Sequence, residues 1–165
     1  KGDISKWSQS GYGDMFAKIG ASIDVNYREG NFGKGKENYE LIIRKIPETV
    51  HALKWTLKNF KGYKRDSLRK LSIFLHEASA AIIITGGFGL SGGAEHDLAY
   101  AMAKKYSKES TTWPTHGQIV SIGTLIELKL FAEVYKDARL YNDLLKAYKK
   151  IGLATSYSEL EKWGD

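Results

Sequence analysis

The sequence has no cysteine among its 165 residues. This absence excludes disulfide bonds and thiolate ligands, so any bound metal must be held by histidine and carboxylate side chains. A long hydrophobic run is also missing: the longest apolar stretch, residues 78–84, is far shorter than the roughly 20 residues that a membrane span needs. Residues 1–10 are polar and do not resemble a signal peptide. We therefore expect a soluble, cytoplasmic protein with no membrane partner.

The positive charge of the chain is scattered rather than clustered. The net charge is +6, but no run of five or more basic residues occurs, and a clustered patch is the expected footprint of nucleic-acid binding. We interpret the charge as solvated helix faces and expect no nucleic-acid partner. The hydrophobic fraction of 42% and the charged fraction of 27% are typical of one ordinary globular domain, here residues 1–165.

Apolar residues recur at helical spacing along the chain, and the alternation typical of strands is absent. The sequence therefore predicts an all-α bundle of about seven helices. Residues 10–14 predict a turn before the first helix, and Pro47 predicts a break within the second. The third helix is apolar nearly all round at residues 74–84, which predicts a central, buried position. The predicted helices cover residues 14–27, 36–60, 66–84, 94–106, 116–135, 137–151 and 156–163, and the predicted core is Leu71, Leu75, Ile82, Ile119, Ile122, Leu125 and Leu144.

Two histidines stand at predicted helix starts, each beside glycine. His96 follows Gly92 and Gly93, and His116 precedes Gly117. Their separation of 20 residues allows a helix, a turn and a return to the same end, so a shared crevice could hold a metal or an anion. The alternative is that both are ordinary solvated or hydrogen-bonded histidines. A catalytic zinc site would also need a third ligand of oxygen type.

Three segments with these residues resemble a known superfamily. Residues 10–18 (SGYGDMFAK) are similar to its G-x-G-D helix start, residues 91–96 (SGGAEH) to its S-G-x-E-H stretch, and residues 116–124 (HGQIVSIGT) to its H-G-E-x-V-x-I-G-T stretch. Residues 150–155 (KIGLAT) also resemble its K-x-G-x-P-T segment. The superfamily comprises glycerol dehydrogenase, glycerol-1-phosphate dehydrogenase and dehydroquinate synthase, and is related to iron-containing alcohol dehydrogenases. The resemblance covers residues 10 to about 160 and is greatest to glycerol-1-phosphate dehydrogenase.

The resemblance implies a metal site formed by Asp14, His96 and His116. Two imidazoles and one carboxylate suit zinc, with iron as the alternative. In the superfamily the metal polarises a substrate hydroxyl, and hydride passes to NAD(P). The implied substrate is a small polyol or polyol phosphate. The nucleotide-binding α/β domain of the superfamily has no counterpart here, so we expect the chain to be the C-terminal metal-binding domain. The expected partner is a nucleotide-binding α/β domain or subunit, and the chain could also form a homo-oligomer.

Some positions depart from the superfamily pattern. Tyr100 stands where members often carry a second histidine, Gln118 replaces the glutamate of the third motif, and residues 87–90 (GFGL) lack the Arg-Pro pair of glycerol-1-phosphate dehydrogenases. Two other hypotheses therefore stay open. One is a dehydroquinate synthase-like cyclase domain, and the other is a non-catalytic helical module that retains the fold only.

Two other residues allow two interpretations each, and the two remaining histidines are given one. Lys18 lies one turn after Asp14, so it could contact an anionic substrate or pair with Asp14. Glu95 could cap its helix, which we favour, or orient His96. His51 and His76 are interpreted as helix residues without a ligand role.

Overall fold

The computed structural model describes residues 4–33, 37–85, 92–106 and 114–161. Within this part of the chain every regular element is an α-helix, so the predicted all-α class is confirmed. No described helix has the length and hydropathy needed to cross a membrane. The eight helices are α1 (Ile4–Arg28), α2 (Glu37–Lys45), α3 (Pro47–Asn59), α4 (Arg65–Thr85), α5 (Ala94–Tyr106), α6 (His116–Tyr135), α7 (Arg139–Ile151) and α8 (Tyr157–Glu161).

The long helices α1 and α6 form the centre of the bundle. The main core lies between α1, α2, α3, α4, α6 and α7, and it includes Tyr12, Phe16, Phe74, Leu128 and Leu144, all buried. A second, smaller core fills the space between α1, α5, α6 and the C-terminal segment. The α5 helix packs on both central helices, and this arrangement places the residues of the candidate site.

The prediction of a turn at residues 10–14 was wrong, since α1 runs through this segment without interruption. The two glycines there serve helix packing instead. A Cβ on Gly13 would lie 2.0 Å from the carbonyl oxygen of Gly117, and a Cβ on Gly117 would lie 2.0 Å from that of Ser10. The α1 and α6 backbones therefore touch, and only glycine allows this approach.

The α4 helix lies at the edge of the bundle rather than at its centre. Ile83 and Ile84 are 79% and 84% exposed, and Ile82 is only partly buried, so the predicted central position was wrong. The helix also begins at Arg65, one residue before the predicted start at residue 66. Of the predicted core, Leu75 is partly buried as well, and the other five residues, Leu71, Ile119, Ile122, Leu125 and Leu144, are buried.

Several helix ends agree with the sequence. Ile46 and Pro47 separate α2 from α3, which turns the seven predicted helices into eight. Gly152 has a left-handed backbone, with φ of 77°, after the last residue of α7. Residues 86–91 and 107–113, which lie between predicted helices, are outside the described residues.

Candidate metal centre

Three helices carry the residues of the predicted metal site. Asp14 lies in the middle of α1, His96 in the first turn of α5, and His116 is the first residue of α6. The start of α6 is fixed from two sides. The Gln118 side chain accepts a hydrogen bond from the Thr115 N–H at 2.8 Å, and the Ser10 hydroxyl accepts one from the Gly117 N–H at 3.2 Å. The second bond ties α6 to α1 one turn before Asp14.

The structure brings the three side chains to one place. One potential ligand atom of each of Asp14, His96 and His116 lies within 4.8 Å of those of the other two. His116 Nε2 is 3.8 Å from Asp14 Oδ1, and the two imidazole centroids are 5.1 Å apart. Two ligands on a tetrahedral zinc ion are roughly 3.4 Å apart for bonds of about 2.1 Å, so small side-chain rotations bring these atoms within reach of one ion. A carboxylate and two imidazoles are a donor set that fits zinc.

A carboxylate behind His96 fixes the orientation of its ring. Glu95 Oε1 lies 2.8 Å from His96 Nδ1 and also accepts the Gly93 N–H at 2.9 Å. Because a carboxylate oxygen accepts hydrogen bonds, this contact favours a proton on Nδ1 and leaves Nε2 as the nitrogen available to a metal. A carboxylate in this position is the usual partner of a metal-bound histidine. Glu95 therefore serves both as a cap at the start of α5 and as the residue that orients His96.

The candidate site is open to solvent on one side. The side chains of His116 and Asp14 are 46% and 39% exposed, whereas that of His96 is 13% exposed. Burial still raises the pKa of Asp14, and the neighbouring charges of His116, His96 and Lys18 oppose that rise. The Tyr100 ring borders this side, with its centroid 6.0 Å from that of His116 and 6.3 Å from that of His96.

Lys18 lies next to the same site. Burial lowers the pKa of its ammonium group, and the charges of Asp14 and Glu95 oppose that change. Lys18 also lines a cavity of about 190 Å³, whose wall includes Arg44, Lys45 and the first turn of α3. The basic residues and the helix N-terminus in this wall favour anions, and the acidic side chain of Glu48 in the same wall opposes them. Substrate contact by Lys18 stays a prediction.

The other two histidines lie away from this cluster. His51 and His76 are exposed on α3 and α4, and the His51 ring packs against Phe74 with centroids 5.4 Å apart. Neither belongs to the groups of described side chains that are close enough to share an ion.

A second cluster, made of Asp24, Glu95 and Glu127, was not predicted from the sequence. One oxygen of each lies within 4.8 Å of those of the other two. Burial raises the pKa of Glu127 to about 9, and the Asp24 and Glu95 carboxylates beside it add to the rise. Glu127 lies within the apolar run of α6, and no local spacing connects it with Asp24 or Glu95.

No protein-family model matches the chain. A segment of 44 residues is 48% identical to the 3-dehydroquinate synthase of Clostridium tetani (strain Massachusetts / E88). This segment covers 26% of the chain and 12% of the length of that enzyme. The match is partial, and 3-dehydroquinate synthase is a member of the superfamily that the sequence motifs resemble. It supports the superfamily, and it does not identify one activity within it.

Proposed function

We propose that this chain is the metal- and substrate-binding helical domain of an NAD(P)-dependent polyol or polyol-phosphate dehydrogenase, similar to glycerol-1-phosphate dehydrogenase. The observation that carries the proposal is the meeting of Asp14, His96 and His116. These residues are separated by 82 and 20 positions in the sequence, and they approach one another only in the folded chain.

The proposed metal is zinc, with iron as the alternative, since both accept imidazole and carboxylate ligands. When bound, the metal would supply Lewis-acid polarisation of a substrate hydroxyl group. The contact of Glu95 with His96 Nδ1 favours the tautomer in which Nε2 would be the metal ligand. The exposed sides of His116 and Asp14 leave room for a small substrate to enter from solvent.

Lys18 is the residue that we propose for recognition of an anionic substrate group. It lies beside Asp14 and also lines the basic cavity next to α3. A phosphate in that cavity would place the rest of a three-carbon polyol phosphate toward Asp14. Lys45 takes part less, because its ammonium group is paired with Glu29 at 2.8 Å.

The proposed reaction needs a hydride acceptor that a second structural unit would hold. We propose a nucleotide-binding α/β domain or subunit that carries NAD(P) and covers the open side of the site. The alternative activity is a dehydroquinate synthase-like cyclisation, and the partial match to the Clostridium tetani enzyme does not distinguish it from the dehydrogenase. A non-catalytic helical module is the remaining hypothesis.

Zinc binding tests the proposal first. The purified chain, stripped of metal, is titrated with zinc by calorimetry, and elemental analysis gives the stoichiometry. We expect one zinc ion that requires His116. Polyol oxidation, measured after a nucleotide-binding domain of the superfamily is added, then distinguishes the dehydrogenase from the cyclase. Absence of zinc binding at micromolar protein concentration would reject the metal site.

A further inference from the structure

The second carboxylate cluster contains acidic oxygen atoms that the helix caps do not explain. Asp24 Oδ2 accepts the Ala94 N–H at 2.7 Å, and Glu95 Oε1 accepts the Gly93 N–H at 2.9 Å. These bonds account for one oxygen of each residue. Glu95 Oε2 and both carboxylate oxygens of Glu127 are buried and accept no hydrogen bond from the described residues; a hydrogen bond from Glu127 to Asp24 or Glu95 requires that Glu127 is protonated.

Glu95 carries the strongest evidence for a ligand at this place. The residue is only 1% exposed, and a buried carboxylate oxygen without a donor loses the hydration that it has in water. A Cβ built on Gly93 would lie 2.9 Å from Glu95 Oε2 and 2.3 Å from Asp24 Oδ2. A Cβ built on Gly20 would lie 3.1 Å from Glu95 Oε2 and 2.3 Å from Glu127 Oε2. Glu95 Oε2 therefore points into the space between the other two carboxylates.

The charge of the cluster requires compensation. Three carboxylates approach one another, and like charges at such distances repel strongly in a partly buried place. Lys18 lies near Glu95, but one ammonium group balances only one of three negative charges. A divalent cation bound between the oxygens supplies the remaining two positive charges, whereas a proton shared among them supplies only one.

The ligand type selects the kind of cation. Oxygen ligands from carboxylates, without histidine, suit hard divalent cations such as Mg²⁺ and Mn²⁺. Asp24 and Glu127 are only partly buried, so water can reach the cluster and complete the six-fold coordination that these ions prefer.

We propose that Asp24, Glu95 and Glu127 form a second cation site, separate from the histidine-containing centre, which binds a hard divalent cation of the Mg²⁺ or Mn²⁺ type. The two sites are connected through Glu95, whose Oε1 holds His96 and whose Oε2 points to the cation. A cation there would hold Glu95 in position, and would thereby support the orientation of His96. This second site does not depend on the proposed dehydrogenase function.

The test uses Mn²⁺ as the probe and separates the two sites by mutation. His116→Ala removes a ligand of the first site without a contact to the second cluster, and circular dichroism checks that the variant stays helical. In this background Mn²⁺ binding is measured by electron paramagnetic resonance, and zinc binding by calorimetry. We expect zinc binding to fall strongly while one Mn²⁺ ion still binds.

A pair of glutamine variants in the same background locates the ion. Glu127→Gln keeps the shape of the side chain, adds a donor for its neighbours and removes one anionic ligand. Glu133→Gln makes the same change at an exposed position of the same helix. We expect Glu127→Gln to weaken Mn²⁺ binding at least about tenfold and Glu133→Gln to leave it unchanged.

Three outcomes would overturn the second site. They are no Mn²⁺ binding below millimolar concentration, equal affinity in the two glutamine variants, and loss of Mn²⁺ together with zinc in His116→Ala. The first outcome, with intact zinc binding by the unmodified chain, shows that a shared proton alone holds the cluster and leaves the proposed function standing. Absence of zinc binding by the unmodified chain, with Mn²⁺ binding retained, would reject the proposed function and keep the second site.

Discussion

Replacement of Gly13 by alanine should separate α1 from α6 and damage the candidate metal centre. The added Cβ would lie 2.0 Å from the carbonyl oxygen of Gly117, whereas real Cβ contacts are almost never shorter than 3.0 Å. The obstacle is backbone rather than the end of a flexible side chain, so the helices must move apart by about 1 Å or more. Asp14 and His116 directly follow and precede the two glycines, and this movement therefore acts on both.

The size of the effect follows from packing and from metal geometry. Forcing an extra methyl group into a closely packed contact costs typically about 1–3 kcal/mol. We expect the loss of unfolding free energy in Gly13→Ala to start from the upper end of that range, because a helix carbonyl cannot rotate away. The higher helix propensity of alanine reduces this loss by about 1 kcal/mol. Metal–ligand distances tolerate changes of about 0.2 Å, so a shift of 1 Å between Asp14 and His116 should weaken zinc binding at least about tenfold.

Gly11→Ala is the matched control on the same helix. Its Cβ would meet the Leu71 side chain at 3.2 Å and that of Leu75 at 3.4 Å, and both side chains can adjust. We expect its unfolding free energy to stay within about 1 kcal/mol of the unmodified chain, with unchanged zinc affinity. Urea unfolding and zinc calorimetry compare the two variants. If Gly13→Ala unfolds at the same urea concentration as Gly11→Ala and binds zinc equally well, the close helix contact does not determine the site.

Three further predictions concern the His116 side chain, the Glu127 side chain and the affinity of the chain for NAD. His116→Ala should reduce zinc affinity by more than about tenfold with nearly unchanged helicity, whereas His76→Ala should leave calorimetric zinc binding unaltered; equal behaviour of the two variants would contradict the assignment. In chelator, Glu127 has a folded-state pKa of about 9 against an ordinary 4.5, so its stabilising contribution is complete below pH 4.5 and is lost as the pH rises through 9. The unfolding free energy should accordingly fall by up to about 1.4 kcal/mol per pH unit in that window, and urea titrations of Glu127→Gln should show a flatter profile. The chain alone should bind NAD weakly or not at all, since the expected phosphate-binding loop and parallel sheet have no counterpart in the sequence; micromolar affinity by calorimetry would refute this.

The helix starts at the candidate site could be predicted because local signals mark them. The starts of α5 at Ala94 and of α6 at His116 agree with the predicted boundaries, since glycines precede the first and Pro114 precedes the second. The motif resemblance indicated Asp14, His96 and His116, and these side chains lie close together in the fold. Their role as ligands is still a prediction.

Other features depend on tertiary contacts that no local pattern encodes. Residues 74–84 are apolar nearly all round, but α4 lies at the edge of the bundle and leaves Ile83 and Ile84 exposed, because periodicity does not show which neighbours cover a helix. Glu127 was missed for a similar reason. Its two carboxylate neighbours, Asp24 and Glu95, are 103 and 32 positions away in the sequence.

The glycines of α6 show how the two clusters arise from one packing arrangement. Gly117 and Gly123 allow close packing against different neighbours of the helix. Gly117 meets the α1 backbone at Ser10, while a Cβ on Gly123 would lie 2.8 Å from the Cα and carbonyl oxygen of Glu95 on α5. The α6 helix is thus in backbone contact with both of the other helices that carry candidate ligands. Short side chains such as aspartate can reach across such contacts, and the bundle can therefore bring ionisable groups together at two places along the same three helices.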